Sequence, residues 1–223
     1  SGASVIELGV PFSDPMADGP VIQRSSERAL KKGMTLQSAI EVAGRARKKI
    51  DTPIILFSYF NPLLQYGIDR LAKSAADVGV DGVLVTDLTP EEAGDFEGQL
   101  RQNDLDMIFL VAPTSTDERL QLIGKRVSGF IYAVSRAGVT GEQSTVSDEA
   151  AKLVGRVRKF SDLPVAVGFG ISSNAQVKDV QRYADAVVVG SAIVSDIERG
   201  ANDDRLAERI GQFARGLING TVE

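Results

Sequence analysis

The stretch from Pro164 to Ser191, PVAVGFGISSNAQVKDVQRYADAVVVGS, contains two short apolar runs separated by a glycine-rich turn and an amphipathic segment. The runs Pro164–Gly168 and Ala186–Val189 are almost wholly apolar, which is typical of strands buried on both faces of a parallel sheet. The segment between them, Ala175–Arg182, predicts a helix. A strand, a helix and a second strand in this order predict a right-handed βαβ unit.

The same alternation extends over the rest of the chain. Five more strand-like runs precede this unit, at Ser4–Leu8, Pro53–Tyr59, Gly82–Thr86, Met107–Val111 and Phe130–Val134. Further helices are predicted at Thr35–Lys49, Asp69–Val78, Glu91–Gln102, Thr116–Gly124, Asp148–Lys159 and Asp203–Ile218.

Polar or glycine-rich segments follow nearly every predicted strand, as expected where the loops after all the strands surround one site. An open sheet would instead concentrate them at one switch point, and no G-x-G-x-x-G sequence opens a helix after the first strand. We therefore predict an α/β fold, a (βα)8 TIM barrel, in a single domain that spans residues 1–223.

Only seven strands are visible in the sequence, whereas a closed barrel of this class needs eight. We expect that the remaining βα unit would precede Ser1, so that the domain is N-terminally incomplete. A sheet with two free edges is expected to be unstable or prone to association. The chain is therefore expected to be a truncated form, or one that compensates by forming oligomers.

Two residue types are absent from the chain, which contains no cysteine and no histidine. Disulfides, thiolate nucleophiles, zinc ribbons, the Ser-His-Asp mechanism and His-ligated metals are therefore excluded. Acid–base chemistry is left mainly to Asp, Glu, Lys and Tyr. Every lysine lies on a helical or flanking stretch, which argues against a Schiff-base aldolase.

Charge and hydropathy indicate where the protein is expected to be located and which partners it is not expected to bind. The net charge of −5 and the scattered basic residues argue against nucleic-acid binding. No apolar stretch approaches the roughly 18 residues of a membrane-spanning helix, and no signal segment opens the chain. A cytoplasmic protein without membrane attachment is expected.

Carboxylates supply the candidate acid–base groups. Glu7 lies inside the apolar run SVIEL, where burial would raise its pKa, although a structural ion pair with an Arg is the alternative. Asp14 and Asp18 follow on a loop rich in proline and glycine. Asp87 follows a strand and would either orient a ligand or cap the next turn. The three aspartates show no obvious ligand spacing, so no metal site is predicted.

Glycine-rich turns after the last two strands are the candidate phosphate site. They contain Gly168-Phe169-Gly170 and Gly190-Ser191, and glycine lets backbone N–H groups approach an anion at a helix N-terminus. Loops at these two positions commonly hold phosphate in (βα)-barrels. The segment Ser135–Gly141 is either a loop that closes over a substrate or a plain surface loop. Tyr59 and Tyr132 either line the site or pack in the core.

Four segments of the chain resemble the alpha subunit of tryptophan synthase. They are ELGVPFSDPMADGP (Glu7–Pro20), SRAGVTG (Ser135–Gly141), GFGIS (Gly168–Ser172) and GSAIV (Gly190–Val194), and they occur in the family's order. The first two are highly specific, and the resemblance extends from about Ser1 to the end of the chain. It implies a (βα)8 barrel and a lyase of tryptophan biosynthesis. This lyase splits indole-3-glycerol phosphate into indole and glyceraldehyde 3-phosphate by a retro-aldol step.

The resemblance also implies catalytic roles. Glu7 matches the general acid–base residue, and Asp18 matches the carboxylate that interacts with the indole N–H. Tyr59 and Tyr132 match residues that line the pocket. Thr140 matches the residue that helps to position the catalytic Asp when its loop closes.

Binding surfaces follow from the same resemblance. The phosphate surroundings are matched by Gly141, Gly168, Phe169, Gly170, Gly190 and Ser191. The loop that contains Pro11 and Asp14 matches the loop that faces a beta subunit. The implied assembly is an alpha–beta–beta–alpha heterotetramer in which pyridoxal phosphate is carried by the beta partner, and this chain itself is expected to hold no cofactor and no metal.

Two other functions stay open. The missing strand could leave only a docking or regulatory subunit for a beta-type partner, with impaired catalysis. A phosphosugar isomerase or decarboxylase of the same barrel class is the second alternative.

Overall fold

The computed structural model describes residues 1–134, 148–168 and 170–220 of the chain, and in this part each strand is followed by one or two helices. The strands are β1 (Ile6–Gly9), β2 (Ile54–Ser58), β3 (Gly82–Val85), β4 (Asp106–Val111), β5 (Ile131–Val134), β6 (Val165–Gly168) and β7 (Ala186–Val188). The helices are α1 (Pro20–Lys31), α2 (Leu36–Arg47), α3 (Phe60–Tyr66), α4 (Ile68–Asp77), α5 (Gly94–Gln102), α6 (Asp117–Arg126), α7 (Asp148–Val157), α8 (Asn174–Val180), α9 (Ser191–Arg199) and α10 (Leu206–Asn219).

The seven strands form one parallel sheet in which each strand pairs with the next along the chain. All seven predicted strands are therefore present, with ends that differ by one or two residues. Parallel pairing of consecutive strands through helices brings the loop after each strand to the same edge of the sheet. This edge is where the candidate residues from β1 to β7 can meet.

The sheet separates two apolar layers. The larger layer lies between the sheet and the helices and includes Leu56 and Val83, which are fully buried. The smaller layer lies on the other face and contains Ile55, Leu84, Ile108 and Tyr132. Since consecutive side chains of a strand point to opposite faces, both faces are covered. This is why the strand sequences are almost continuously apolar.

Three helices were not predicted from the sequence, namely α1, α3 and α9. Helix α1 begins at Pro20, at the end of the loop that carries Asp14 and Asp18. Proline is well tolerated in the first helical turn, because its missing N–H would have no intrahelical partner there. Helix α3 has only seven residues, and neither α1 nor α9 contains a buried residue.

The two ends of the sheet are less covered than its middle. Strands β1 and β7 are at the ends of the strand order, and within the described residues no ladder joins them. Strands β3 and β6 are buried throughout, but β1 and β7 contain exposed and half-buried residues only. Val5 is 38% exposed and Ile197 of α9 is 39% exposed. Among the residues that the structure describes, these ends are strand edges without a further partner, and their surroundings are partly apolar.

We expect the free edges to cause self-association, since unpaired strand edges are templates for pairing with another chain. Sedimentation should show the apparent mass of the purified chain rising with concentration. Val5→Lys should shift the equilibrium toward the monomer, because a charge beside the edge opposes pairing. Leu64→Lys is the matched control, since Leu64 is 50% exposed on α3, which is not part of either edge strand. Equal effects of the two lysines would contradict this prediction.

Candidate active site

Glu7 lies on β1, opposite Ile55 of β2. Because Ile55 belongs to the layer on the inner face of the sheet, Glu7 is directed to that face as well. Burial raises the pKa of Glu7 from 4.5 to about 7, since an apolar environment disfavours the charged carboxylate. Among the described residues no ion pair is formed by Glu7, so the alternative of a structural pair with an Arg finds no support in this part of the chain.

Tyr132 of β5 is also part of the inner layer and is only 6% exposed. Burial raises the pKa of its hydroxyl, and the charge of Glu7 raises it further. A phenol with a raised pKa stays protonated at neutral pH. Tyr132 therefore lies close enough to Glu7 for the carboxylate charge to affect the pKa of its hydroxyl. It is also a buried residue of the core.

Asp18 lies on the loop between β1 and α1, and it is half-buried. A backbone hydrogen bond from Asp18 N to Pro15 O (3.0 Å) closes a turn in this loop, and Gln23 Nε2 donates to Asp18 O at 2.8 Å. Burial raises the pKa of the Asp18 carboxyl, and a hydrogen bond from the Tyr59 hydroxyl lowers it in part.

Tyr59 connects the end of β2 to this loop. Ala17 N donates to the Tyr59 hydroxyl at 2.9 Å, and the Tyr59 ring lies 5.3 Å from the ring of Phe12, centroid to centroid. The side chain is 5% exposed, and burial raises its pKa to about 12. Tyr59 thus contacts the loop that carries Asp18 and remains protonated at neutral pH.

The turn after β7 has the features of an anion site. Gly190 precedes α9, and no side chain caps the α9 N-terminus among the described residues. By contrast, the N-terminus of α8 is closed by a capping box of Ser173 and Gln176. Backbone N–H groups are therefore free at the start of α9, where Gly190 and Ser191 are both exposed. An uncapped helix N-terminus is a favourable place for a phosphate group.

The turn after β6 lies beside this site in strand order. Gly170 has φ +74, a left-handed conformation that favours glycine, and a Cβ there would meet open space. Gly168 is buried, and a Cβ at this position would lie 2.7 Å from Tyr132 Cζ. Gly168 is therefore required for the packing of Tyr132, a role that its place in a glycine-rich motif did not reveal.

The loop that contains Pro11 and Asp14 connects β1 to α1. Asp14 is exposed and Pro11 is half-buried. A surface cavity of about 500 Å³ lies next to it, between this loop and α1, and includes Phe12 and Pro15. The predicted phosphate and loop residues Thr140, Gly141 and Phe169 lie outside the described residues, as does the rest of the segment Ser135–Gly141.

Sequence reasoning missed one contact that joins two parts of the site. Glu198 of α9 accepts hydrogen bonds from Arg24 Nε (2.9 Å) and Arg24 Nη2 (2.8 Å) and also from Arg28 Nη1 (2.6 Å). Because α1 follows the Asp18 loop and α9 begins at the candidate phosphate site, this ion-pair cluster links the two. Arginines four residues apart indicate a shared helical face, but only after α1 has been recognised as a helix.

Burial of Glu7 also determines how stability depends on pH. With a pKa of about 7 in the folded chain against 4.5 for an exposed glutamate, the folded state holds the proton more tightly. The contribution of Glu7 to the free energy of unfolding should therefore decrease as pH rises from about 4.5 to about 7, by up to about 3 kcal/mol. Above that range the contribution should stay constant. Urea unfolding at about pH 5 and about pH 8 should show that Glu7→Gln removes this decrease. Glu27→Gln, on the exposed face of α1, should keep it, and a Glu7→Gln profile parallel to that of the unmodified chain would refute the assignment.

Within the described ranges no cluster of three or more potential metal-ligating residues is found. No helix in the same part of the chain is long and apolar enough to cross a membrane.

Seven parallel strands paired in chain order and connected by helices, with a desolvated carboxylate on one face of the sheet, are typical of the TIM-barrel enzymes. Comparison with known proteins identifies the family within this class. The family model described as tryptophan synthase alpha chain matches residues 1–220. The chain belongs to this family, which confirms the resemblance and the fold class predicted from the sequence.

Individual relatives agree with the family match. The chain is 49% identical over 219 residues to a tryptophan synthase alpha chain of Solibacter usitatus, covering 98% of this chain and 82% of that one. It is 49% identical over 223 residues to the alpha chain of Citrifermentans bemidjiense, covering 100% and 83%.

Solved structures show the same similarity. Tryptophan synthase from M. tuberculosis, in an aminoacrylate-bound form, matches with a TM-score of 0.84 at 39% identity, covering 97% of this chain and 82% of that chain. A mutant tryptophan synthase alpha-subunit from Pyrococcus furiosus matches with a TM-score of 0.88 at 38% identity, covering 97% and 86%.

Proposed function

We propose that this chain cleaves indole-3-glycerol phosphate to indole and glyceraldehyde 3-phosphate in tryptophan biosynthesis. The observation that carries the proposal is Glu7, a carboxyl group on the inner face of the sheet whose pKa is raised to about 7. Such a group exists in both protonation states near neutral pH, so it can donate and accept a proton in one cycle. Membership of the family supplies the substrate and the reaction type.

In the proposed reaction, protonated Glu7 donates its proton to C3 of the indole ring, which gives an indolenine cation. The Glu7 carboxylate then accepts the proton of the hydroxyl group on the side-chain carbon attached to C3. The bond between C3 and this carbon breaks, its electron pair returns to the indole ring, and the carbon becomes the aldehyde of glyceraldehyde 3-phosphate. Glu7 ends protonated, so the cycle is balanced.

Asp18 is proposed to stabilise the cation. Protonation of C3 places positive charge on the ring N–H, and a fixed carboxylate next to it favours that state over the neutral substrate. The raised pKa of Asp18 indicates a carboxylate that is partly desolvated, and the hydrogen bonds of its backbone N and O hold the residue in place. Both conditions strengthen an electrostatic interaction that develops in the transition state.

The phosphate group of the substrate is proposed to bind at the N-terminus of α9, next to Gly190 and Ser191. The N–H groups there have no side-chain cap in the described structure, whereas those of α8 do. Binding at this remote point would hold the reacting carbon near Glu7 without taking part in the chemistry.

The family also implies a beta subunit that holds pyridoxal phosphate, in an alpha–beta–beta–alpha assembly. We propose that the exposed loop around Asp14 faces this partner. The cytoplasmic location implied by the family is likewise a proposal.

Release of glyceraldehyde 3-phosphate from indole-3-glycerol phosphate tests the proposal, with the purified chain alone and with a beta subunit added. Slow turnover that is accelerated by the beta subunit is expected. Binding of the beta subunit without turnover in either case would favour the docking subunit instead. Turnover of an unrelated phosphosugar, with this substrate ignored, would favour the isomerase or decarboxylase.

A further inference from the structure

Asp87 is a carboxylate at the edge of the sheet where the strands end. It has no role in the proposed reaction. It follows β3, and its side chain is exposed. Asp87 Oδ1 accepts a hydrogen bond from Phe60 N at 2.7 Å. Phe60 is the first residue of α3, so the carboxylate satisfies a backbone donor at a helix start, where negative charge is favoured.

The backbone of Tyr59 is fixed on both sides of this contact. The ends of β2 and β3 are joined because Thr86 N and Thr86 Oγ1 both donate to Ser58 O, at 2.9 and 3.2 Å. Ser58 Oγ donates to Tyr59 O at 2.9 Å, and Asp87 holds the next N–H along the chain. Asp87 is the one group in this set that belongs to a loop and is exposed.

The Tyr59 side chain connects this fixed backbone to the loop that contains Asp18. Its hydroxyl accepts a hydrogen bond from Ala17 N at 2.9 Å, and Ala17 directly precedes Asp18 in this loop. With its side chain almost fully buried and its ring against Phe12, Tyr59 has little freedom to compensate for a change in its backbone direction. A displacement at the Phe60 N–H is therefore passed to the hydroxyl at the other end of the residue.

We propose that Asp87 is a positioning residue for Asp18, which acts through the Phe60 N–H and the Tyr59 hydroxyl. The inference rests on the proposed function in that Asp18 is taken as the group that stabilises the cation. It adds the element that holds this group in place. The required feature of Asp87 is a hydrogen-bond acceptor at the position of Oδ1, and its negative charge is secondary.

Two substitutions separate positioning from a direct role in catalysis. Asp87→Ala removes the acceptor, and we expect it to lower kcat about tenfold with KM little changed. Asp87→Asn keeps a carbonyl acceptor and should retain at least half of kcat. If Asp87 acted on the substrate through its charge, the two variants would lose activity equally, which would overturn the proposal. Asp69→Ala is the matched control, since it removes an exposed carboxylate from the first turn of α4.

Combination with Tyr59→Phe tests the route. Removal of the Tyr59 hydroxyl breaks the connection to Asp18, so adding Asp87→Ala to Tyr59→Phe should lower kcat by less than twofold further. A full tenfold additional loss would show that Asp87 acts by another route.

A carboxyl titration of Asp18, followed by NMR, keeps the test independent of activity. Asp87→Ala should raise the pKa of Asp18, because the Tyr59 hydroxyl, which lowers this pKa, would no longer be held in place, while Asp87→Asn and Asp69→Ala should leave it unchanged. An unchanged titration in Asp87→Ala would refute the relay, whether or not the chain turns over substrate. If the unmodified chain shows no lyase activity but the titration moves as expected, the proposed function fails and the relay stands.

Discussion

Replacing Glu7 by Gln is expected to lower kcat for glyceraldehyde 3-phosphate release by about 10²–10⁴-fold, the range that a general acid–base group contributes. Gln is similar in size to Glu but cannot exchange a proton, so both proton transfers of the proposed cycle are lost. KM should change little, because the phosphate end of the substrate would still bind at α9. The measurement is steady-state kinetics, with the beta subunit present to raise the signal.

A loss of activity through misfolding has to be separated from this effect. Because ionised Glu7 is costly to bury, Glu7→Gln should be at least as stable as the unmodified chain near pH 8. Glu27→Gln is the control for a glutamate change at an exposed position, and its kcat should be unchanged. A Glu7→Gln variant that is stable and keeps more than a tenth of its activity would remove Glu7 from the proposed mechanism.

Replacing Gly168 by Ala is expected to damage both packing and activity. The added methyl group would lie 2.7 Å from Tyr132 Cζ and 2.9 Å from Tyr132 Cε1, well inside contact distance. Tyr132 is 6% exposed and belongs to the inner layer, so its ring cannot move away without disturbing that layer. Overpacking of this kind costs about 1–3 kcal/mol, and the shift of the turn after β6 should lower kcat/KM about 10²-fold.

Tyr132→Leu in the Gly168→Ala background provides the decisive comparison. The smaller side chain makes room for the methyl group, so the double variant should regain part of the stability that the single variant lost. This coupling is measured by urea unfolding of the two single variants, the double variant and the unmodified chain. Gly98→Ala is the control, because a Cβ there meets nothing and alanine favours a helix by about 1 kcal/mol. Additive effects at positions 168 and 132 would show that the two residues do not compete for the same space.

The strands in the middle of the sheet could be predicted from the sequence because they are buried on both faces. Runs such as Gly82–Thr86 and Pro164–Gly168 contain almost no polar residue, because a strand that is buried on both faces consists mainly of apolar residues. The long amphipathic helices were predicted for a related reason, since their apolar residues repeat with the helical period. The alternation of these two patterns determines the fold class.

The parts that could not be predicted depend on contacts between distant residues. Nothing near Tyr59 in the chain shows that its hydroxyl meets Ala17 N, 42 positions away. The ion pairs of Glu198 with Arg24 and Arg28 join residues 174 and 170 positions apart. Glu7 could be recognised as a candidate functional residue because burying a carboxylate in an apolar strand costs free energy, which a functional role would explain. Asp87 had no such signal, since an Asp after a strand is common in turns.

The cluster of Arg24, Arg28 and Glu198 lies on the surface, and its side chains are between 27% and 50% exposed. Exposed ion pairs weaken as dissolved salt screens their charges, over a Debye length of about 10 Å at 0.1 M ionic strength. The cluster joins the helix that follows Asp18 to the helix that begins at the candidate phosphate site. We therefore expect ionic strength to affect how these two parts of the site are held relative to each other, although none of the reacting groups takes part in the contact. A salt dependence of kcat that disappears in Glu198→Gln would identify this contact as its origin.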